Sequence, residues 1–477
     1  MLQTMGSITF DDQNFISILE HAQKLEGQKL VEVAETMRRP KLVELKGKGA
    51  AGQLLHTWFG LGQNDNRAEA DLPLVKFPDN RICGVEIKAV PLKPRGRGFG
   101  IKERCKVTSI DYEKLLDETW ALSRARHKLL SVVFIFYRYA GSANWPTSQV
   151  EKVLHWTLEA TPSRETIRLD WQRTWDYVNE GRAHEISGSH GTILETCTTG
   201  LKRYVKQPHN LSMPAVKRAF ALKPAFLLTA YEYSVTPARF ESIATLRGKP
   251  LASNLQTEVL RGFKPLVGQT LGVIADKLKI SRKQTKQAAA LLVRRTLGVL
   301  NDKKRLLELE SAGIKPKTIP VRESDLRPCE AMSFPAMRLA EFVEEEWEDS
   351  EFRAHLDCLL LIPTLAAHCE QELWSRQLAQ PFFWSPSGQE EDGIVEEWQM
   401  FQREVLAGKA AYKRIDGRRV SSLTPGSKTK FIHMRPKGRD GSEDDVDPNG
   451  KPAQKLCFWL NQSFVQDLLR RNLQKRT

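Results

Sequence analysis

At 477 residues the chain is too long for one ordinary hydrophobic core, which sets the expectation of two or three domains. With 41% hydrophobic and 27% charged residues, and no apolar run long enough for a bilayer, the composition argues against helical membrane spans and for a globular protein of the cytoplasm. Lysine and arginine total 72 against 58 acidic residues, a net charge of +14, and this surplus favours a nucleic acid partner because basic side chains near phosphates release condensed counterions.

Met1 to Asp12 lacks the basic, apolar, small-residue order of an export signal. From Phe15 to Ala34, Ile18, Leu19, Ala22, Leu25, Leu30 and Val33 recur at near-helical spacing, which predicts two short helices broken near Gly27. Leu54, Leu55, Trp58 and Phe59 form the apolar face of another helix. Leu72 to Phe77 and Ile82 to Val90 then alternate as strands around the turn tripeptide Pro78-Asp79-Asn80, a β-hairpin. A basic, glycine-punctuated stretch follows, then a predicted helix over 112–126 and the strongest strand signal in the chain, Ser131 to Tyr137. Helices on a mixed sheet give an α/β or α+β domain. The seven cysteines are scattered with no CxxC pair, so neither zinc nor a disulfide is expected and all seven are read as reduced.

The chain repeats itself. Leu25-Glu26-Gly27-Gln28-Lys29-Leu30 returns as Leu266-Val267-Gly268-Gln269-Thr270-Leu271, and the segment from Gly84 to Pro91 is echoed by Gly313 to Pro320. Trp171-Gln172 stands before Gly181 as Trp398-Gln399 stands before Gly408, and Phe220 to Lys223 resembles Phe458 to Asn461. Four matches in one order predict a duplicated domain: 1–240 as the first copy, 241–255 as linker, 256–477 as the second.

In the first copy Glu86-Ile87-Lys88 is an ExK triplet on a strand, and period-two geometry puts Glu86 and Lys88 on one face. With an acid from the partner strand, two carboxylates could hold a hard cation such as Mg2+, with the Ile87 carbonyl as a further ligand and Lys88 placed to handle a water attacking a phosphodiester. Asp71 is the favoured acid because a turn near Asp79 and Asn80 carries it across the hairpin; Asp79 is the alternative, although an aspartate inside Pro-Asp-Asn more often forms the turn. In the second copy Lys315 stands where Glu86 does, so Lys315 and Lys317 would repel a metal and that copy is expected not to cut.

These residues carry a resemblance. Lys48-Gly49 leading into Gly52-Gln53-Leu54-Leu55, then Ala68 to Pro73 around Asp71, Gly84 to Lys88 with Pro91, Asn179 to Gly200 and Arg218 to Phe226 look like the MutH mismatch-repair endonucleases, which have the PD-(D/E)xK fold. The second half, with Glu344 to Ser350 and His433 to Pro436, resembles the two-domain type II restriction endonucleases related to MutH that cut at GATC. The resemblance implies that Asp71, Glu86 and Lys88 are catalytic and metal-binding residues, with double-stranded DNA as the partner and dimerisation on DNA possible. It further implies DNA contacts at Lys48, Gly49, Lys202, Arg218 and Lys223, an added active-site lysine or strand cap at Lys128, and duplex-holding basic residues such as Arg435 and Lys437 in the second copy. One departure stands out: His56 occupies the place of a metal-associated glutamate. The leading expectation is a Mg2+-dependent restriction endonuclease serving phage defence; a mismatch-repair nickase and a catalytically silent DNA-binding regulator are the alternatives.

Overall fold

A computed structural model of the chain describes residues 2–5, 8–47, 49–62, 69–95, 98–141, 143–198, 203–248, 254–283, 287–300, 304–437 and 444–474. Contacts divide it into two compact units, residues 1–245 with 304–312, and residues 246–303 with 313–477. Phe240–Glu241 pairs in parallel with Arg305–Leu306, which ties part of the expected linker into the first unit.

After a short antiparallel strand pair, Leu2–Met5 with Ile8–Asp11, the first unit continues with helices α1 (Phe15–Gln23), α2 (Leu30–Thr36) and α3 (Ala50–Trp58). The break between α1 and α2 falls where Gly27 takes a φ of 82°, a conformation that costs a residue with a Cβ. Asn14 caps α1 by accepting from the backbone of Ile16 and Ser17. Strands β1 (Leu72–Lys76) and β2 (Ile82–Arg95) form the expected hairpin, and Asn80 supplies the left-handed residue of its turn at a φ of 66°. The basic stretch extends β2, folds back as β3 (Gly98–Ile101) and continues into β4 (Cys105–Ser109). The helix expected over 112–126 is instead three pieces: Tyr112–Leu116, a 3-10 turn at Trp120–Leu122, and α4 (Arg124–Leu129). Asp111 and Ser123 each accept a backbone N–H and start a new helix, a local competition that apolar spacing does not reveal.

Strand β5 (Ser131–Arg138) pairs in parallel with β2 and antiparallel with β6 (Gln149–Thr157). Its unbroken apolar run is explained by burial on both faces. Val133, Ile135 and Tyr137 pack with α1 to α3, whereas Val132, Phe134 and Phe136 pack with the elements on the other side, among them α5 (Arg164–Asn179). Each such buried side chain contributes roughly 1.5–3 kcal/mol. That second layer also contains a three-stranded sheet of β4, β7 (Leu194–Thr198) and β8 (Arg218–Leu222), followed by α6 (Pro224–Val235).

The second unit runs through α7 (Leu255–Phe263), α8 (Leu271–Lys277) and α9 (Ala288–Thr296), then β9 (Lys315–Arg322), β10 (Arg327–Pro328) and β11 (Met332–Ala336). It continues with α10 (Glu351–Leu356), β12 (Leu359–Ala366), β13 (Gln377–Leu378), β14 (Phe382–Trp384) and α11 (Gln389–Leu406). Strands β15 (Ile432–Pro436) and β16 (Leu456–Leu460) and the helix α12 (Gln462–Leu473) complete it. Again one sheet has a central parallel pair, β9 with β12, and a three-stranded sheet joins β11, β16 and β15. Equivalent contacts recur in detail. Gly27 N–H donates to the Val150 carbonyl and Gly268 N–H to that of Leu378, both at 2.8 Å. Ser123 caps Arg126 and Ser350 caps Arg353, both at 3.1 Å.

The cysteines depart from expectation. Cys329 and Cys369 form a disulfide with a Cα–Cα distance of 5.3 Å, and the other five cysteines are thiols. The two lie 40 positions apart in sequence, and only the fold brings Cys329, just after β10, to the end of β12. Among the described residues no helix is long and apolar enough to cross a membrane.

Candidate active site

Antiparallel pairing of Leu72 with Val85 places Asp71 opposite Glu86, so the hairpin brings the two acids together. Each braces the other's strand: Ile87 N–H donates to Asp71 Oδ2 at 2.8 Å, and Asp71 N–H donates to Glu86 Oε2 at 3.3 Å. Gly84 permits the close approach, since a Cβ there would stand 2.6 Å from that of Ala70. Lys88 lies on the same face as Glu86 with its Nζ 2.6 Å from Glu86 Oε1. Lys128, from α4, donates to both oxygens of Glu86 at 3.2 and 3.4 Å. Glu86 is only 1% exposed, and a carboxylate so buried is stable only when paired, here with two ammonium groups.

The electrostatics are tightly linked. Burial, and then repulsion by the Glu86 carboxylate, pushes the Asp71 carboxyl above the usual range. Burial works against the charge on Lys88, but attraction to Glu86 and its neighbours outweighs this and holds the ammonium well above its ordinary value. Burial also pushes the neighbouring Cys105 thiol up to about 11, leaving it protonated and unreactive. Two carboxylates that repel one another are oxygen donors of the kind that could hold a hard divalent cation that keeps some of its waters. No cluster of three or more His, Cys, Asp or Glu side chains able to hold a metal occurs among the described residues. His56 Nε2 lies 3.2 Å from the Ile87 carbonyl oxygen, bracing the backbone that carries this donor.

Asp79 is elsewhere. Its side chain is exposed, accepts from Arg81 N–H and pairs with the Arg81 guanidinium at 3.2 Å, which is turn chemistry at the hairpin tip. Replacing it with Asn should therefore lower stability by no more than about 1 kcal/mol, because an exposed ion pair contributes only about 0–1 kcal/mol; thermal melting of the purified variant checks this.

The sequence-derived basic residues divide. Lys48 and Lys202 lie outside the described residues. Gly49 is exposed at the start of α3, and Arg218 is half-buried at the start of β8. Lys223 is only 2% exposed at the head of α6, so it is not part of a basic surface. In the second unit Arg435 is exposed, with its guanidinium 5.4 Å from the Trp459 ring centre, and Lys437 is half-buried. The pairing register Glu86–Val132–Trp156 is matched by Lys315–Leu359–Trp384, so Lys315 takes the place of Glu86 and Lys317 that of Lys88. The contact from Lys128 to Glu86 has its counterpart in His355, whose Nδ1 is 3.2 Å from Lys315 Nζ. Sequence reasoning left the partner of Lys128 open and missed the tasks of Gly84 and the Ile87 carbonyl contact of His56; the glycine before the ExK triplet was the only available signal for the first of these.

Paired acids and lysines on a mixed sheet define a candidate phosphodiester-hydrolase site, and known proteins resemble the chain that carries it. The family model "MutH: DNA mismatch repair enzyme MutH" matches residues 63–170 and 297–397, a stretch in each half of the chain. The type II restriction enzyme Sau3AI of Staphylococcus aureus is 27% identical over 322 residues, 64% of this chain and 62% of that enzyme, so the match spans less than two thirds of its length. MutH of Pectobacterium atrosepticum is 29% identical over 190 residues, 39% of this chain and 76% of that protein. MutH of Haemophilus influenzae is 24% identical over 217 residues, 45% of this chain and 93% of that protein. The chain is thus similar in sequence to both restriction and mismatch-repair proteins.

Proposed function

We propose that the protein is a sequence-specific type II restriction endonuclease that hydrolyses double-stranded DNA with Mg2+ at GATC-type sites, acting in the cytoplasm in phage defence. The observation that carries this is the pairing of Asp71 and Glu86 across the hairpin, with Lys88 and Lys128 on Glu86. Asp71, Glu86 and the Ile87 carbonyl would hold the cation, which when bound supplies Lewis-acid stabilisation of charge on the phosphate. Lys88 orients the attacking water and takes part in moving its proton, while Lys128 fixes the Glu86 carboxylate. A shift of about 1 Å in such a group costs about a hundredfold. Accordingly, Lys128→Met should lower kcat by about that factor while DNA affinity measured in EDTA holds.

We read the protein as a PD-(D/E)xK fold present twice, with residues 1–240 catalytic and residues 256–477 a degenerate copy that binds DNA without cutting. The recurring contacts and Lys315 at the Glu86 position support this. One cutting site per chain severs one strand, so a double-strand break needs two chains on one duplex or two successive nicks. The test is digestion of unmethylated and adenine-methylated plasmid with Mg2+ or EDTA, mapping ends by sequencing. Discrete Mg2+-dependent double-strand ends at GATC are expected. Nicks alone would favour a mismatch-repair role, and retention without cutting a silent regulator.

A further inference from the structure

In the second unit the place of the metal site is filled by cations. Lys315 Nζ turns to the Ala354 carbonyl and His355, while Lys317 Nζ donates to the Ser333 carbonyl at 2.6 Å and lies 4.5 Å from the Phe334 ring centre. Lys437, entering from the end of β15, donates to the next carbonyl along, that of Phe334, at 2.6 Å. Anchoring on neighbouring carbonyls of β11 puts the two ammonium groups in one neighbourhood, close enough for the charge of Lys437 to act on Lys317. Among the described residues neither has an ion-pair partner, and each anchor uses one of three N–H donors. Burial, and then repulsion from Lys437, holds the Lys317 ammonium down to about 8. Keeping like charges together in a half-buried place is unfavourable unless an anion joins them.

We propose that the second unit binds a phosphate group, without a metal, between Lys317 and Lys437. The proposal rests on the reading of this unit as DNA-binding and makes the lost cutting site a phosphate clamp. A phosphate oxyanion accepts from both ammonium groups in charge-assisted bonds, and its charge removes their mutual repulsion. The phosphate can belong to a DNA backbone or be free in solution.

Pulse acetylation of full-length Glu86→Gln protein in EDTA at pH 8, read by mass spectrometry at each lysine, tests the clamp. A GATC-containing duplex should slow labelling of Lys317 and Lys437 at least fivefold. Protection by inorganic phosphate alone would support the clamp with free phosphate as its ligand. Protection of other lysines of the second unit, such as Lys413, but of neither clamp lysine by either ligand overturns the clamp and spares the DNA-binding reading. Protection of no lysine in this unit overturns both. Independently, in the same background, changing Lys317 and Lys437 together to Gln should lessen the slope of log Kd against log salt for duplex binding by about one, the loss of one neutralised phosphate. Where the duplex protects the two lysines, an unchanged slope in the folded variant overturns the assignment.

Discussion

Glu86→Gln should lower the rate of Mg2+-dependent DNA cleavage by on the order of a thousandfold, because a metal site's stabilisation of transition-state charge contributes several kcal/mol. The change keeps the shape of the side chain and an acceptor for Lys88, but removes the negative charge shared by Lys88 at 2.6 Å and Lys128 at 3.2 Å. Two buried ammonium groups then face a neutral amide, and the repulsion that a cation meets there grows. Asp71→Asn should produce a loss of similar size, because it removes the other carboxylate while its amide oxygen can still accept from Ile87 N–H. Single-turnover cleavage combined with duplex binding in EDTA separates chemistry from folding: both variants should bind DNA and fail to cut it. Cleavage within tenfold of the parent in either variant would remove that residue from the metal site.

The site was partly legible because its geometry is local. A strand's period of two fixes Glu86 and Lys88 on one face, and a hairpin turn at Asp79 and Asn80 brings the segment around Asp71 back to Glu86, but it is the register shift between Leu72 and Val75, which chain position does not reveal, that sets Asp71 rather than Leu72 opposite Glu86. Lys128 could not be placed in this way. It reaches Glu86 from a helix 42 positions later, and the register of a parallel crossover is not written in either strand. The same holds for His56, whose contact with the Ile87 carbonyl spans 31 positions, and for Cys329 with Cys369. Lys223 carries a different lesson. Its charge predicted a surface, yet it heads α6 from within the fold at 2% exposure, a placement that residue type alone argues against. The long helix expected over 112–126 failed at Ser123, where one side-chain oxygen accepting from Arg126 N–H was enough to restart the backbone.

Asp170→Ala should lower the melting temperature of the first unit by about 10 °C. The side chain is 2% exposed on α5 and accepts three consecutive backbone N–H groups, from Thr192 at 2.8 Å, Ile193 at 2.7 Å and Leu194 at 3.0 Å. Those amides lie at the entry to β7, next to Gly191, where a Cβ would stand 2.2 Å from the Leu194 carbonyl oxygen, so the segment is tightly turned and water has little access to replace the lost acceptor. Leaving several buried donors unmet costs about 3–5 kcal/mol, and for a unit of this size each kcal/mol lowers melting by about 2–4 °C. Glu397 on α11 does the same work in the second unit, accepting from Lys430, Phe431 and Ile432 at the entry to β15, with the Ile432 bond at 2.8 Å. Each of these acids immediately precedes a buried tryptophan, Trp171 or Trp398, that anchors its helix in the core. Calorimetry should therefore find Glu397→Ala destabilising as well, by a comparable amount. A shift under 3 °C for Asp170→Ala would mean that these amides find other acceptors and that the start of β7 is held by its sheet partners alone.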